Sequence, residues 1–301
     1  MHETGRPTSR RTYLKRIGAV TAVASTAGCI GGGGGGSGSM TIVPGTAPGF
    51  PPFEMKNGGE IVGFDIDLLS AVVSNTDYEL ESWKGFEFSS LIPALKNDKI
   101  DVIAAAMTIN DKRDETIDFT NPYYSADQAI LVRKGADFSP SNLGGLAGRT
   151  VGVQEGTTGA SVVEKQLVKP GKIAQSKFNT YGNYVLAVED LVNRNLDAVV
   201  LDTPVARTFV DRRAVTIASV YKTGEKYGFG VRTDADDLTK ALNDGLKQVK
   251  DSGKYKQIRD EWFAGGGKGG NASAGTETGG NVSTGNASAG ATSNESTTSS
   301  S

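Results

Sequence analysis

Histidine and cysteine are almost missing from this chain. It has one of each in 301 residues, His2 and Cys29, and both lie near the N-terminus. A Ser-His-Asp triad, a Cys-His nucleophile pair and a Cys/His zinc site are therefore excluded from the rest of the chain. No disulfide can form within it. A nucleic-acid footprint is missing too: 32 Lys and Arg residues are scattered among 34 Asp and Glu residues, with no basic stripe. Long apolar runs are scarce. The run Ile17 to Gly28 is too short to span a bilayer as a stable helix. The glycine-rich stretch after Cys29 has no Lys-Ser/Thr behind it, so it is not a phosphate-binding loop.

The two ends of the chain do carry signals. Arg6, Arg10, Arg11, Lys15 and Arg16 precede the short apolar run, the layout of an export leader over residues 1–28. Ser9-Arg10-Arg11-Thr12-Tyr13-Leu14-Lys15 resembles a twin-arginine signal, which exports proteins already folded. Ser25-Thr26-Ala27-Gly28-Cys29 resembles a lipobox, so Cys29 is expected to be lipidated and to anchor the mature chain. Residues 29–39 then read as a flexible glycine tether. From 265 to 301 the chain is Gly, Ser, Thr, Asn and Ala, with too little apolar surface to fold. Its sequons at Asn271, Asn281, Asn286 and Asn294 are possible glycosylation sites, though chance is a fair explanation in so biased a segment.

Between these ends, residues 40–264 are globular in composition. Apolar spacing predicts a strand at Thr41 to Val43, a rigid loop at Pro48 to Phe53 and a turn at Gly58-Gly59. It predicts a helix over Phe64 to Ser74 with Asp65 as N-cap, a strand over Tyr78 to Trp83 and a helix over Phe88 to Lys96. The order argues for an α/β sheet with parallel strands. Residues 125–132 form an apolar extended run. A second series follows: strands at Thr150 to Val153, Ile173 to Phe178 and Asp197 to Leu201, and helices at Ala160 to Val168, Tyr184 to Arg194 and Pro204 to Arg212. The chain returns through Tyr227 to Val231 into helices over Asp237 to Lys250 and Tyr255 to Phe263. Two α/β lobes joined by two extended crossings suit a hinge with a cleft between them. The expected division is 40–130 and 226–264 in the first lobe and 131–225 in the second.

Three corners at strand ends are candidate sites, because open α/β sheets bind ligands there. The first lies within Asp101 to Tyr124. Asn110 is a good N-cap, and Arg113 follows three residues later, where a cation opposes the helix dipole. That placement makes sense if an anion docks there; a surface arginine paired with Asp111, Asp114 or Glu115 explains it equally well. The second is Gly156-Thr157-Thr158-Gly159, an anion-holding turn or an ordinary N-cap. The third is Asp202. Pro204 at N1 would make Thr203 the cap and leave the Asp202 carboxylate for an ammonium group. Together the corners complement an α-amino acid zwitterion, with Phe50 and Phe88 as apolar walls, although the core is the commoner home of any single aromatic.

The sequence resembles the bacterial extracellular solute-binding proteins of family 3, the amino-acid receptors of ABC importers, over nearly all of Met40 to Ala264. The resemblance is carried by Gly63-Phe64-Asp65-Ile66-Asp67-Leu68, the FSSLIPAL run from Phe88, the AAMTINDKR run from Ala105, Asp118 to Tyr124, and Val151 to Gly159. It implies a two-lobed, type II periplasmic-binding-protein fold, two α/β lobes joined by a two-strand hinge. In that case Arg113 would hold the ligand carboxylate, helped by Thr108 and the N–H groups near Thr157 and Thr158. Asp202 and the carbonyl of Ala106 would hold the ammonium, Phe50 and Phe88 would sandwich the side chain, and Gln154 would tune specificity. Ala47 stands where receptors for basic amino acids place an aspartate, which favours a polar uncharged amino acid. The resemblance implies no cofactor, no metal and no catalysis. It implies a monomer, tethered at the outer face of the cytoplasmic membrane, that docks on the membrane subunits of an ABC transporter. The rivals are an enzyme on the same fold, such as a cyclohexadienyl dehydratase with Glu54, Glu87 or Glu155 as its acid or base, and a ligand-sensing surface protein.

Overall fold

The stretch Val102 to Met107 is apolar without a break because both of its faces are covered. Val102, Ala104 and Ala106 pack into one core, and Ile103, Ala105 and Met107 into another. Strand alternation produces this division when a sheet is buried on both sides. The stretch belongs to a computed structural model that describes residues 40–264. The leader 1–28, Cys29, the tether and the tail with Asn271, Asn281, Asn286 and Asn294 lie outside the described residues.

In chain order the first part contains β1 (Met40–Ile42), β2 (Pro44–Thr46), β3 (Met55–Asn57), β4 (Glu60–Val62), α1 (Phe64–Val73), β5 (Tyr78–Leu80), β6 (Lys84–Gly85), α2 (Leu91–Lys96), β7 (Val102–Ile103), α3 (Asp111–Asp114) and β8 (Asp118–Phe119). The middle part contains β9 (Tyr124–Arg133), β10 (Val151–Gln154), α4 (Thr158–Val163), β11 (Phe178–Tyr181), α5 (Tyr184–Val192), β12 (Ala198–Asp202), α6 (Thr203–Arg212) and β13 (Val215–Tyr227). The return adds β14 (Gly230–Val231), α7 (Asp236–Asp251) and α8 (Lys254–Phe263).

Two five-stranded sheets result, ordered β6-β2-β7-β14-β8 and β11-β10-β12-β9-β13. Each is parallel on one side, β6-β2-β7 in the first and β11-β10-β12 in the second. Each is completed by two antiparallel strands. The expected all-parallel sheets are therefore mixed. β9 and β13 are the crossings. They pair from Arg133–Val215 to Tyr124–Tyr227, and the Thr108–Tyr227 bridge ties their end to the first lobe. The result is a two-lobed α/β molecule on a two-strand hinge.

Several local expectations are corrected. The cap of α1 is Gly63, not Asp65. Its first N–H groups donate to the carbonyls of Pro52 and Phe53 at 2.9 and 3.0 Å, so no side-chain cap is needed. At α6 the cap position is Asp202 rather than Thr203, but the Asp202 carboxylate does not cap it. The strand expected at Ile173 to Phe178 runs instead from Phe178 to Tyr181, because Gln175 to Lys177 form a 3-10 turn. The helix expected over Ala160 to Val168 is α-helical only to Val163 and continues as a π-helical turn. Only the last residue of β13 was legible, since just three of its thirteen residues are buried and they follow no regular alternation.

An aromatic knot secures the hinge. The Phe53 ring meets Phe50, Phe64, Tyr124, Tyr227 and Phe263 at centroid distances of 5.0–5.9 Å. Tyr124 and Tyr227, paired across the crossings, stack at 5.8 Å. Contacts of this kind add about 0.5–1.5 kcal/mol each beyond area burial.

Candidate functional site

Arg113 lies on α3, four residues of helix that only a cap can hold. Asn110 supplies it: its Oδ1 accepts from the Arg113 N–H at 3.1 Å. The helix start is thus satisfied by Asn110, and what remains for a ligand is the side chain. Asn110→Ala should destabilise the fold by about 1 kcal/mol, read by urea denaturation, since this is the usual worth of such a cap.

The Arg113 side chain is buried. Its guanidinium donates to the carbonyls of Thr108 at 2.5 Å and Gly156 at 3.0 Å, and it lies 5.3 Å from the centroid of the Phe88 ring. Thr108 and Gly156 belong to different lobes, so Arg113 spans the cleft. Burial pulls its pKa down to about 10, opposed by the fields of Asp202, Glu225 and Tyr227. It stays cationic at neutral pH. The expected pairing with Asp111, Asp114 or Glu115 does not occur, because the side chain turns inward.

A cluster of acids faces it. Asp202 ends β12 and pairs across the sheet with Gln128 of β9. The Gln128 Nε2 donates to Asp202 Oδ1 and, at 2.7 Å, to Glu225 Oε1. Thr108 donates to Glu225 Oε2 at 2.8 Å and contacts the Thr158 hydroxyl at 2.9 Å. Thr223 adds a third bond to Glu225, at 3.0 Å. Burial, then the adjoining Glu225 carboxylate, pushes the Asp202 carboxyl well above the usual range; Tyr227 and Arg113 oppose the rise.

Glu225 and Gln128 were not singled out from sequence. Glu225 enters the cleft because β13 bulges between Tyr221 and Glu225. Asp127 Oδ1 holds that bulge by accepting from the N–H groups of Thr223 and Gly224, both at 2.9 Å. A bulge re-aims the side chains that follow it. The signals were Gly224 within a strand and one glutamine inside the apolar run Ala126 to Val132.

The other expected residues divide. Thr157 caps α4 and contacts the Tyr184 hydroxyl at 3.1 Å, so its hydroxyl is occupied. The Ala106 N–H donates to Asp65 at 2.6 Å, with Ala106 at φ 44°. Phe50 is buried against Phe53 and Tyr184, whereas Phe88 is partly exposed beside Arg113. Gln154 donates to the Gly182 carbonyl at 3.0 Å, and its buried Oε1 has no partner among the described residues. Glu54 is fully buried, its carboxyl raised well above the usual range by burial and by the charges of Asp65 and Asp202. Glu87 and Glu155 are exposed. A surface cavity of about 400 Å³ lies elsewhere, lined by Tyr123, Tyr124, Ser125, Lys226, Tyr255 and Arg259, and it includes none of the expected site residues.

The two-lobed fold and this bipolar cleft define a binding-protein class. The chain belongs to the bacterial extracellular solute-binding proteins, family 3, whose family model matches residues 42–265. It is similar to a probable histidine-binding protein of Campylobacter jejuni subsp. jejuni serotype O:2, 34% identical over 223 residues, which are 73% of this chain and 84% of the relative. Among solved structures it resembles an ancestral arginine-binding protein bound to arginine, with a TM-score of 0.70, 38% identity and coverage of 74% and 98% of the two chains. An ancestral arginine-binding protein bound to glutamine gives 0.69, 38%, 75% and 98%. An ancestral amino acid-binding protein described as a precursor of cyclohexadienyl dehydratase gives 0.68, 33%, 74% and 95%.

Proposed function

We propose that the protein is an extracytoplasmic receptor that closes on an amino acid and delivers it to an ABC importer. The observation that carries this reading is the opposition of charge across the cleft. Arg113 from the first lobe offers a two-pronged cation for a carboxylate. Asp202 from the second lobe offers a carboxylate for an ammonium. Thr108 and the turn at Thr157 and Thr158 supply hydrogen bonds between them. Relatives named for arginine and histidine binding support the amino-acid class.

For the ligand side chain we favour a polar uncharged group. Ala47 is buried and carries no charge, and the unpaired Gln154 Oε1 would accept a bond from an amide N–H. A solved relative holds glutamine. The cationic alternative rests on the relatives' names and on Glu87, whose carboxylate lies against Gly182 at the second lobe. A thermal-shift panel of amino acids separates these readings, because a ligand that binds only the folded state raises its midpoint. At a hundredfold excess over Kd the gain is about 2.7 kcal/mol, a rise of roughly 5–10 °C for a chain of this size. The largest rise should come with glutamine or another polar neutral amino acid. A flat panel would sink the receptor reading.

The enzyme reading has one specific observation behind it: Glu54 is a buried carboxyl whose pKa burial pushes upward, the direction a general acid needs. Release of phenylpyruvate from prephenate by the purified protein would move that reading to first place. Anchoring through Cys29, Tat export and action as a monomer remain part of the proposal on the strength of the leader sequence and the resemblance. Mass spectrometry of the membrane fraction, with and without Cys29→Ala, tests the anchor.

A further inference from the structure

We propose that Glu225 forms a proton-sharing acid pair with Asp202 and that the ammonium group of an incoming amino acid displaces that proton, so that ligand binding is proton-coupled. The inference rests on the receptor reading above and goes beyond it.

The cleft carries one guanidinium, Arg113, against two carboxyl groups, Asp202 and Glu225, all three buried. Without a ligand one acid is left in excess; a docked zwitterion places its carboxylate on Arg113 and its ammonium beside the two acids. Two adjoining carboxylates cannot both stay ionised in a dry site without a cation between them. The Gln128 Nε2 bridges the pair from one side, and the Thr108 and Thr223 hydroxyls donate to Glu225. Every donor given to Glu225 suits a carboxylate acceptor. Asp202 receives fewer, from Gln128 and from the Tyr227 hydroxyl. The excess proton therefore resides on Asp202, in agreement with the upward push that burial and Glu225 exert on it.

The other ionisable groups around Asp202 do not remove the need for this proton. Arg113 of α3 pulls its pKa down through its field, while its guanidinium donates to the carbonyls of Thr108 and Gly156. Tyr227 of β13 and Tyr184 of α5 are buried phenols whose own ionisation is pushed up, in both first by burial and next by the field of Asp202. Glu54, in the loop before β3, adds a further acid, itself raised by burial and by Asp65 and Asp202. When an ammonium docks, its N–H groups take the position of the proton on Asp202. That proton leaves to solvent, and Asp202 becomes the carboxylate that holds the cation. The bound state carries one proton fewer on the protein, so affinity rises with pH between the bound-state and free-state ionisations of Asp202.

Titration calorimetry with L-glutamine and L-arginine, in buffers of different ionisation enthalpy, tests this. The expected result is net proton release on binding, at most one per ligand, and an affinity that rises with pH by at most about tenfold per unit. Glu225→Gln should release fewer protons and show a shallower pH profile than the wild type, because Asp202 then keeps the burial that raises it but faces no second carboxylate. A residue with a merely structural role would not change the proton count. If that variant fails to fold, the wild-type proton count and pH slope decide alone. Tight binding with no proton exchange and no pH slope overturns the proton coupling and leaves the receptor reading intact. Binding of neither ligand nor any other amino acid overturns both.

Discussion

Arg113→Ala is expected to weaken amino-acid binding by about 2–5 kcal/mol, roughly thirtyfold to a few thousandfold in Kd. The size follows from the environment of the group. Arg113 is buried, spans the two lobes, and remains a cation in a cleft from which water is largely excluded. A ligand carboxylate placed against it would be desolvated on closure, and truncating one partner leaves the other buried without its counter-charge. The fold should survive, because the two carbonyls that Arg113 serves line the cleft and can turn to water when the lobes part. Calorimetry with the ligand that gives the largest thermal shift, paired with circular dichroism, checks both statements. Arg113→Lys should fall between the two, since a point charge keeps the attraction but loses the two-pronged grip. Full affinity in Arg113→Ala would remove this residue from the carboxylate pole.

Gly63→Ala should destabilise the protein by about 3–5 kcal/mol, a fall in Tm of about 10 °C or more, from overpacking and backbone strain together. Gly63 sits at φ 154°, and a Cβ there would lie 1.9 Å from the Phe53 carbonyl oxygen and 2.8 Å from the Glu54 Cα. The obstruction is backbone, so no side-chain rotation relieves it. The close approach also has a purpose. It lets the carbonyls of Pro52 and Phe53 receive the first N–H groups of α1 in place of a side-chain cap. Relief would require moving Phe53, the ring at the centre of the hinge knot. Differential scanning calorimetry reads the loss. An unchanged Tm would mean that the loop and α1 can separate freely.

Much of the site was legible because it follows local rules. Asn110 caps α3 as its type and position suggest, while the sequence left open whether Arg113 meets an anion or pairs with Asp111, Asp114 or Glu115. Pro204 and the end of an apolar strand isolate Asp202. Thr157 was also legible, but only as the cap it is. Phe50 was read as a ligand wall, yet it is packed between Phe53 and Tyr184. Tyr184 comes from a remote part of the chain, and nothing in the local pattern distinguishes a pocket aromatic from a core aromatic.

By itself the sequence determined the two α/β series, the first crossing and the opposite charges at strand ends, because strand alternation, helical spacing and caps are short-range effects. The lack of histidine and cysteine removed whole classes of chemistry at once. Only the tertiary structure decided which acids meet. Glu225 lies 23 residues beyond Asp202 in a polar strand, and a bulge held by Asp127 turns it into the cleft. Gln128 reaches both acids through cross-strand register. Register and bulges depend on pairings between distant segments, and these set the charge balance of the cleft.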